Sequence, residues 1–123
     1  MSLDVVLAIH EEQIAEHGGL AGVPNVGYVE AALGRPQFLF QFGSPGIAEL
    51  SAAYLFGLAK AHGFADGNKR TAWVVANTFL AINGAELLVD DKEAVSTVEA
   101  VAGNRMSEDL LAGWITDHLV IKP

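Results

Sequence analysis

Cysteine is absent from the 123-residue sequence, so the chain has no disulfide framework and no thiolate metal site. That absence fits a reducing compartment. Nor is there a run of about 18 or more residues free of polar groups, the length a spanning helix requires, although hydrophobic residues make up 51% of the chain. The sequence therefore predicts a water-soluble protein with no place in a membrane. Basic residues are scarce: 7 Lys and Arg stand against 15 Asp and Glu, a formal charge of −8. A field of that sign opposes phosphate backbones, which excludes broad nucleic-acid binding and leaves room only for a local basic pocket. The opening "MSLDVVLAIHEEQ" lacks a positively charged leader, and its apolar stretch breaks at His10-Glu11-Glu12 before any cleavage site. No signal peptide is expected, and the cytoplasm is the default location. Repeats, low-complexity segments and linkers are also missing, and the length suits one core, so residues 1–123 are read as a single domain.

What is present is a succession of helical patterns. "LDVVLAIHEEQIAEH" places Leu3, Val6, Leu7, Ile9 and Ile14 on roughly one face, with Ser2 as N-cap and Gly18-Gly19 as stop. Asn25 is positioned to cap a short helix, "GYVEAALG", expected to end before Arg35-Pro36 because a residue preceding proline avoids helical angles. "FQFGSPG" reads as a turn. From Ile47 to Ala61, Leu50, Tyr54, Leu58 and Ala61 recur at spacings of three and four with small residues between them, the pattern of a helix buried on most sides. "TAWVVANTFLAIN" is apolar around most of its circumference, as the central helix of a bundle would be, and Asn83-Gly84 ends it. "AELLV" suggests a short extended piece. Asp90 with Glu93 has the form of a capping box for "KEAVSTVEAVA", Gly103-Asn104 closes that helix, and Ser107 caps the last, "EDLLAGWITDHL". The fold class expected is all-α, with at most a short extended segment.

Between the two most apolar helices lies "HGFADGNKR", residues 62–70. His62 leaves the end of one helix, "GFADG" turns, and Asn68, Lys69 and Arg70 form the first turn of the next. A helix N-terminus is electropositive and carries free N–H groups, so Lys69 and Arg70 stand where cations are disfavoured. A strongly anionic ligand such as the phosphates of a nucleotide removes that cost, bound jointly by the N–H groups and the two side chains. Gly67 would let the backbone approach the ligand closely. Asp66 suits magnesium held on phosphates, which takes only one or two protein carboxylates. A histidine is the usual proton acceptor near neutral pH, a role open to His62. Taken singly, Asp66-Gly67-Asn68 is also an ordinary turn with a helix cap; the ordered set is what points to a phosphate ligand.

The stretch "HGFADGNKR" resembles the signature of the Fic superfamily, H-P-F-x-(D/E)-G-N-G-R-x-x-R. It is most similar to the death-on-curing (Doc) branch, where lysine follows the asparagine. "IHEEQIAEHGGLAGV", "EAALGRPQ", "AAYLFGLAKAHGFADGNKRTA" and "FLAINGAEL" extend the resemblance, in order, from residue 9 to about 87. It implies a compact helical bundle around a central motif helix, and an enzyme that modifies a protein hydroxyl with ATP and Mg²⁺. Fic members generally transfer AMP. The Doc branch implies instead a toxin of a type II toxin–antitoxin pair, transferring the ATP γ-phosphate to a threonine of translation elongation factor Tu and blocking translation. Such a toxin would be silenced by a cognate antitoxin whose C-terminal segment folds into a groove on it. By position, His62 matches the catalytic base, Asp66 the magnesium-linked acid, Asn68 a phosphate-holding asparagine and Phe64 the buried anchor of the loop. Lys69 replaces the second glycine of the anion loop, and Arg70 matches the first arginine.

Two departures stand out. The proline after the histidine is Gly63, expected to loosen the loop, and the last arginine of the pattern is Trp73. A lysine at 69 would partly fill the deep pocket that AMP transfer requires for the β and γ groups, which favours binding the nucleotide the other way round, with the γ-phosphoryl near His62. An AMP transferase remains the alternative, followed by a catalytically silent binding module and, more weakly, a metal-dependent hydrolase on His62 and Asp66, which lack a third ligand.

Other residues have blander readings. His10, His17 and His118 are expected to be structural or exposed. Trp73 and Trp114 are expected in core packing, with Trp114 alternatively lining a partner groove. Asp90, Asp91, Glu93 and Glu99 suggest a solvated face. The apolar surplus from Leu3 to Ile14 suggests part of an antitoxin groove.

Overall fold

Ser2, Asn25, Asp90 and Ser107 each accept a backbone N–H from three residues ahead, the bond that starts a helix cleanly. All four caps match the sequence signals. The computed structural model describes residues 1–123 and contains six helices and one small ribbon. The helices are α1 (Leu3–His17), α2 (Val26–Phe42), α3 (Ile47–Ala61), α4 (Asn68–Ile82), α5 (Asp91–Ala102) and α6 (Glu108–His118). The strands β1 (Ala85–Leu87) and β2 (Leu119–Ile121) pair antiparallel, with Ala85 opposite Ile121 and Leu87 opposite Leu119. The all-α class therefore holds, and the extended piece at 85–87 lies where expected. Its partner β2 was not foreseen: "LVI" is too short to show a period, and only the return of α6 brings it alongside.

The core is a cluster of 21 buried residues, organised along α3, which packs against α2, α4, α5 and α6. Nine of its fifteen residues are buried. Small side chains let α3 and α4 approach closely, Ala52 and Ala59 on one and Ala72 and Ala76 on the other. In that contact the buried Ser51 hydroxyl donates to the Ala76 carbonyl at 3.3 Å, which satisfies a polar group that would otherwise be stranded. The loop 62–67 thus joins the two helices at the centre of the packing. Its ends are fixed by the core on both sides.

One expectation fails. α2 does not stop before Arg35-Pro36 but runs on to Phe42 with Pro36 inside it. Proline leaves the Ala32 carbonyl without its helical donor, and that carbonyl lies against α3 where Gly57 has no side chain; a Cβ there would come within 3.1 Å of it. Pro36 itself is fully buried. Arg35 is held by Glu108 of α6 through Nε at 3.2 Å and Nη2 at 3.0 Å, and that bond, aided by the opposite charge, raises its guanidinium pKa above the ordinary value. Tertiary packing and this clamp override the local preference. The consequence is a helix whose last turns stand free, with Phe38, Phe40 and Phe42 exposed.

The capping box at α5 is half formed. Asp90 accepts from Glu93 N at 2.8 Å, whereas the Glu93 carboxylate turns to His118 Nε2 at 3.1 Å, linking α5 to α6.

Candidate functional site

Loop 62–67 is pinned from four directions. The Asn68 carboxamide accepts from Phe64 N at 3.1 Å and donates to Phe64 O at 2.8 Å, so one side chain closes both backbone groups of the loop's anchor. The Phe64 ring is buried and stacks on His10, with centroids 3.8 Å apart and planes 8° from parallel. His10 Nε2 donates to the Asp66 carbonyl at 2.9 Å; because a carbonyl only accepts, this nitrogen carries the proton. Asn25 N donates to Gly63 O at 2.7 Å. The expectation that Gly63 loosens the loop is therefore corrected. Gly63 is buried, and a Cβ on it would fall 2.5 Å from Val29 Cγ2. In this chain Val29 occupies the room that a side chain at position 63 would need.

Gly67 has φ 78° and caps α4, a left-handed conformation that glycine adopts without steric cost. It aims the first turn of α4 outward. The first bond of the helical ladder runs from Thr71 N to Gly67 O at 2.9 Å, so the N–H groups of Asn68, Lys69 and Arg70 lie ahead of it and have no carbonyl partner. Lys69 and Arg70 are exposed and pair with no acidic side chain. Two adjacent cations left unpaired at the positive end of a helix, in a chain of charge −8, make a concentrated anion attractor.

The Asp66 carboxylate accepts from Leu20 N at 3.2 Å and from Gly67 N at 2.8 Å. Those two bonds, and more weakly the charge of Arg70, hold its pKa below the ordinary carboxylate value. Because the folded chain binds this proton less readily than the unfolded chain, Asp66 favours folding fully above its ordinary value of 3.8, and the benefit drains away as pH falls below it. The difference in Tm between wild type and Asp66→Asn is thus expected to be steady near neutrality and to shrink at acid pH. A difference that persists unchanged well below 3.8 would exclude the ionised carboxylate as its cause.

His62 ends α3 with φ 52° and ψ 40° and is exposed. It opens into a cavity of about 600 Å³ that Asp66, Gly67, Asn68, Lys69 and Arg70 also line. All six residues singled out from the sequence thus meet at one opening. Its size falls within the range of small-molecule sites, about 300–1,000 Å³. The far wall is α5, with Ala94, Val95 and Val98 between Asp91 and Glu99. One reading needs correction here: Asp91 and Glu99 are exposed, but they border the cavity instead of an open solvated face. Trp73 packs against the core as expected, but it is only partly buried and lines the cavity as well.

His10 and Asn25 were not picked out as site residues. His10 meets Asp66 across 56 positions of sequence, and no local spacing announces such a contact. The groove expected on α1 also changes character. Val6, Ile9, His10 and Gln13 face inward, which leaves Val5 as the exposed larger apolar side chain of that helix.

Fold and site define an all-α domain that displays a pinned polar loop and a cationic helix start beside one cavity. A family model described as the Fic/DOC family matches residues 1–80, and the chain belongs to that family. It is 36% identical over 104 residues to a protein named Protein kinase doc from Escherichia phage P1, covering 84% of this chain and 82% of that protein. It is 45% identical over 76 residues to Toxin Doc from Mycolicibacterium smegmatis, covering 59% of this chain and 58% of that protein.

Proposed function

We propose that the chain is a Doc-type toxin that transfers the γ-phosphate of ATP to a protein hydroxyl, with a threonine of translation elongation factor Tu as target. The observation that carries this reading is the unpaired Lys69 and Arg70 beside the free N–H groups of residues 68–70, in a cavity that also holds His62. The names of the two relatives, a kinase and a toxin, support it. In this reading the α4 N-terminus, Gly67, Lys69 and Arg70 take the phosphates. Asn68 holds the loop through Phe64, and its remaining N–H and its backbone amide face the same anion. His62 accepts the proton of the attacking hydroxyl as its oxygen bonds to the γ-phosphorus; the bond to the β-γ bridging oxygen breaks and ADP leaves.

Magnesium fits the site on one ground: Asp66 is an exposed carboxylate, held ionised, on the rim where the phosphates would lie. When bound there with nucleotide, it would neutralise charge on the phosphate oxygens. The further partner in this proposal is a cognate antitoxin whose C-terminal segment occupies a groove on the toxin and silences it, in the cytoplasm.

The test is incubation of purified protein with elongation factor Tu and ATP labelled at either the α- or the γ-phosphate, followed by intact mass. A γ-label retained on the factor with a gain of one phosphate is the expected result. An α-label retained with the mass of AMP would transfer the chain to the AMP-transferring reading, and no modification would remove this target.

A further inference from the structure

Trp73 stands four residues after Lys69 on α4, so the two are neighbours on one helix face, about 6 Å apart along the axis. It is partly exposed and lines the same cavity as the cations. Its other neighbours are fixed. Trp114 packs against it with ring centroids 6.3 Å apart, and Trp114 lies in turn on His118 at 4.6 Å, which Glu93 holds at 3.1 Å. Asn77 Nδ2 donates to the Trp73 carbonyl at 2.8 Å. The indole is thus backed by an aromatic row and the His118–Glu93 contact while part of it meets the cavity. On the opposite wall Val95 is 57% exposed, with the buried Val98 three residues on along the same face of α5. An aromatic ring and an aliphatic strip left facing one cavity, one helix turn from an anion attractor, describe a slot for a flat apolar group attached to phosphates.

We propose that this slot takes the heterocyclic base of the nucleotide, stacked on Trp73 and covered by Val95. The proposal rests on the phosphate-binding reading of the α4 N-terminus and adds the direction in which the nucleotide lies, along α4 from Lys69 towards Trp73. It also accounts for the tryptophan at a position where the signature carries an arginine: a cation there would extend the anion site, whereas an indole ends it and starts a surface for the base.

Two ligands separate the base from the phosphates. ATP and inorganic tripolyphosphate, each with magnesium, are titrated calorimetrically into wild type, Trp73→Ala and Trp73→Phe, with circular dichroism confirming that each variant is folded. Stacking of a base on an aromatic side chain is lost on alanine substitution. ATP is accordingly expected to bind Trp73→Ala about tenfold or more weakly, with tripolyphosphate unchanged and Trp73→Phe intermediate. In a Trp114→Phe background, where Trp73 is the remaining tryptophan, ATP quenches tryptophan fluorescence and tripolyphosphate does not. Equal losses for both ligands, no loss for either, or quenching by both alike would overturn the slot. If tripolyphosphate binds wild type tightly and Trp73 makes no difference, the slot alone falls; if wild type binds neither ligand, the phosphate reading falls with it.

Discussion

Replacing His62 by alanine is expected to lower phosphoryl transfer by about 10²- to 10⁴-fold, the usual contribution of a positioned proton acceptor, while nucleotide affinity stays close to wild type. The two halves of that expectation come from different parts of the structure. His62 ends α3 and opens into the cavity, so its ring is free to meet an incoming hydroxyl. In the proposed reading, phosphate affinity depends instead on Lys69, Arg70 and the amides ahead of the Thr71–Gly67 bond. Single-turnover rates with saturating ATP and a calorimetric titration separate the two. A backbone effect is also testable, because His62 has φ 52°, a region in which asparagine is better tolerated than alanine. His62→Asn keeps the turn and lacks the basicity, so it should be as inactive as His62→Ala. Recovery of the rate in His62→Asn would assign the defect to the turn and remove His62 as the base. The contrast with His10 is one of position: its Nε2 is committed to the Asp66 carbonyl and its ring to Phe64, so it positions the loop.

The parts of this architecture legible in the sequence are those that local chemistry decides. Ser2, Asn25, Asp90 and Ser107 announce helix starts because a side-chain oxygen three residues before a free N–H is a purely local arrangement. The order His62, Asp66, Asn68, Lys69, Arg70 announces a site because five functional groups follow one another across a single turn. What escaped depends on the third dimension. The run of α2 through Pro36 is decided by Gly57 and Glu108, residues that no window around Pro36 contains. The space for Gly63 is decided by Val29, and the far wall of the cavity by α5. The charges of Asp91 and Glu99 were visible; that they face Lys69 and Arg70 across a cavity was not, because a helix with an acidic face looks the same in sequence whether it meets water or a neighbour.

Leu55→Ala is expected to cost about 2–5 kcal/mol of folding stability, the range for removing a buried leucine side chain. Leu55 is fully buried on α3 and belongs to the 21-residue core cluster. α3 has neighbours on most sides, so the surrounding helices cannot close the gap by a single shift, which places the cost above mere transfer of the lost methyl groups. A domain has only about 5–15 kcal/mol in all, and the midpoint of urea unfolding should fall accordingly with the slope unchanged. The same variant separates scaffold from chemistry. Leu55 lies seven residues before His62, about 10 Å along the helix axis, and is not among the residues that line the cavity. At a temperature where the variant remains folded, its turnover should match wild type, the reverse of the result expected for His62→Ala. A stability loss within about 0.5 kcal/mol, the range of ordinary surface substitutions, would show that α3 is not the centre of the packing. Full stability loss accompanied by a proportionate loss of turnover in the folded state would show instead that the α3 to α4 junction is strained by its own core, and that the pinning of the loop by Asn68, His10 and Asn25 is insufficient to hold the site when the helices beneath it relax.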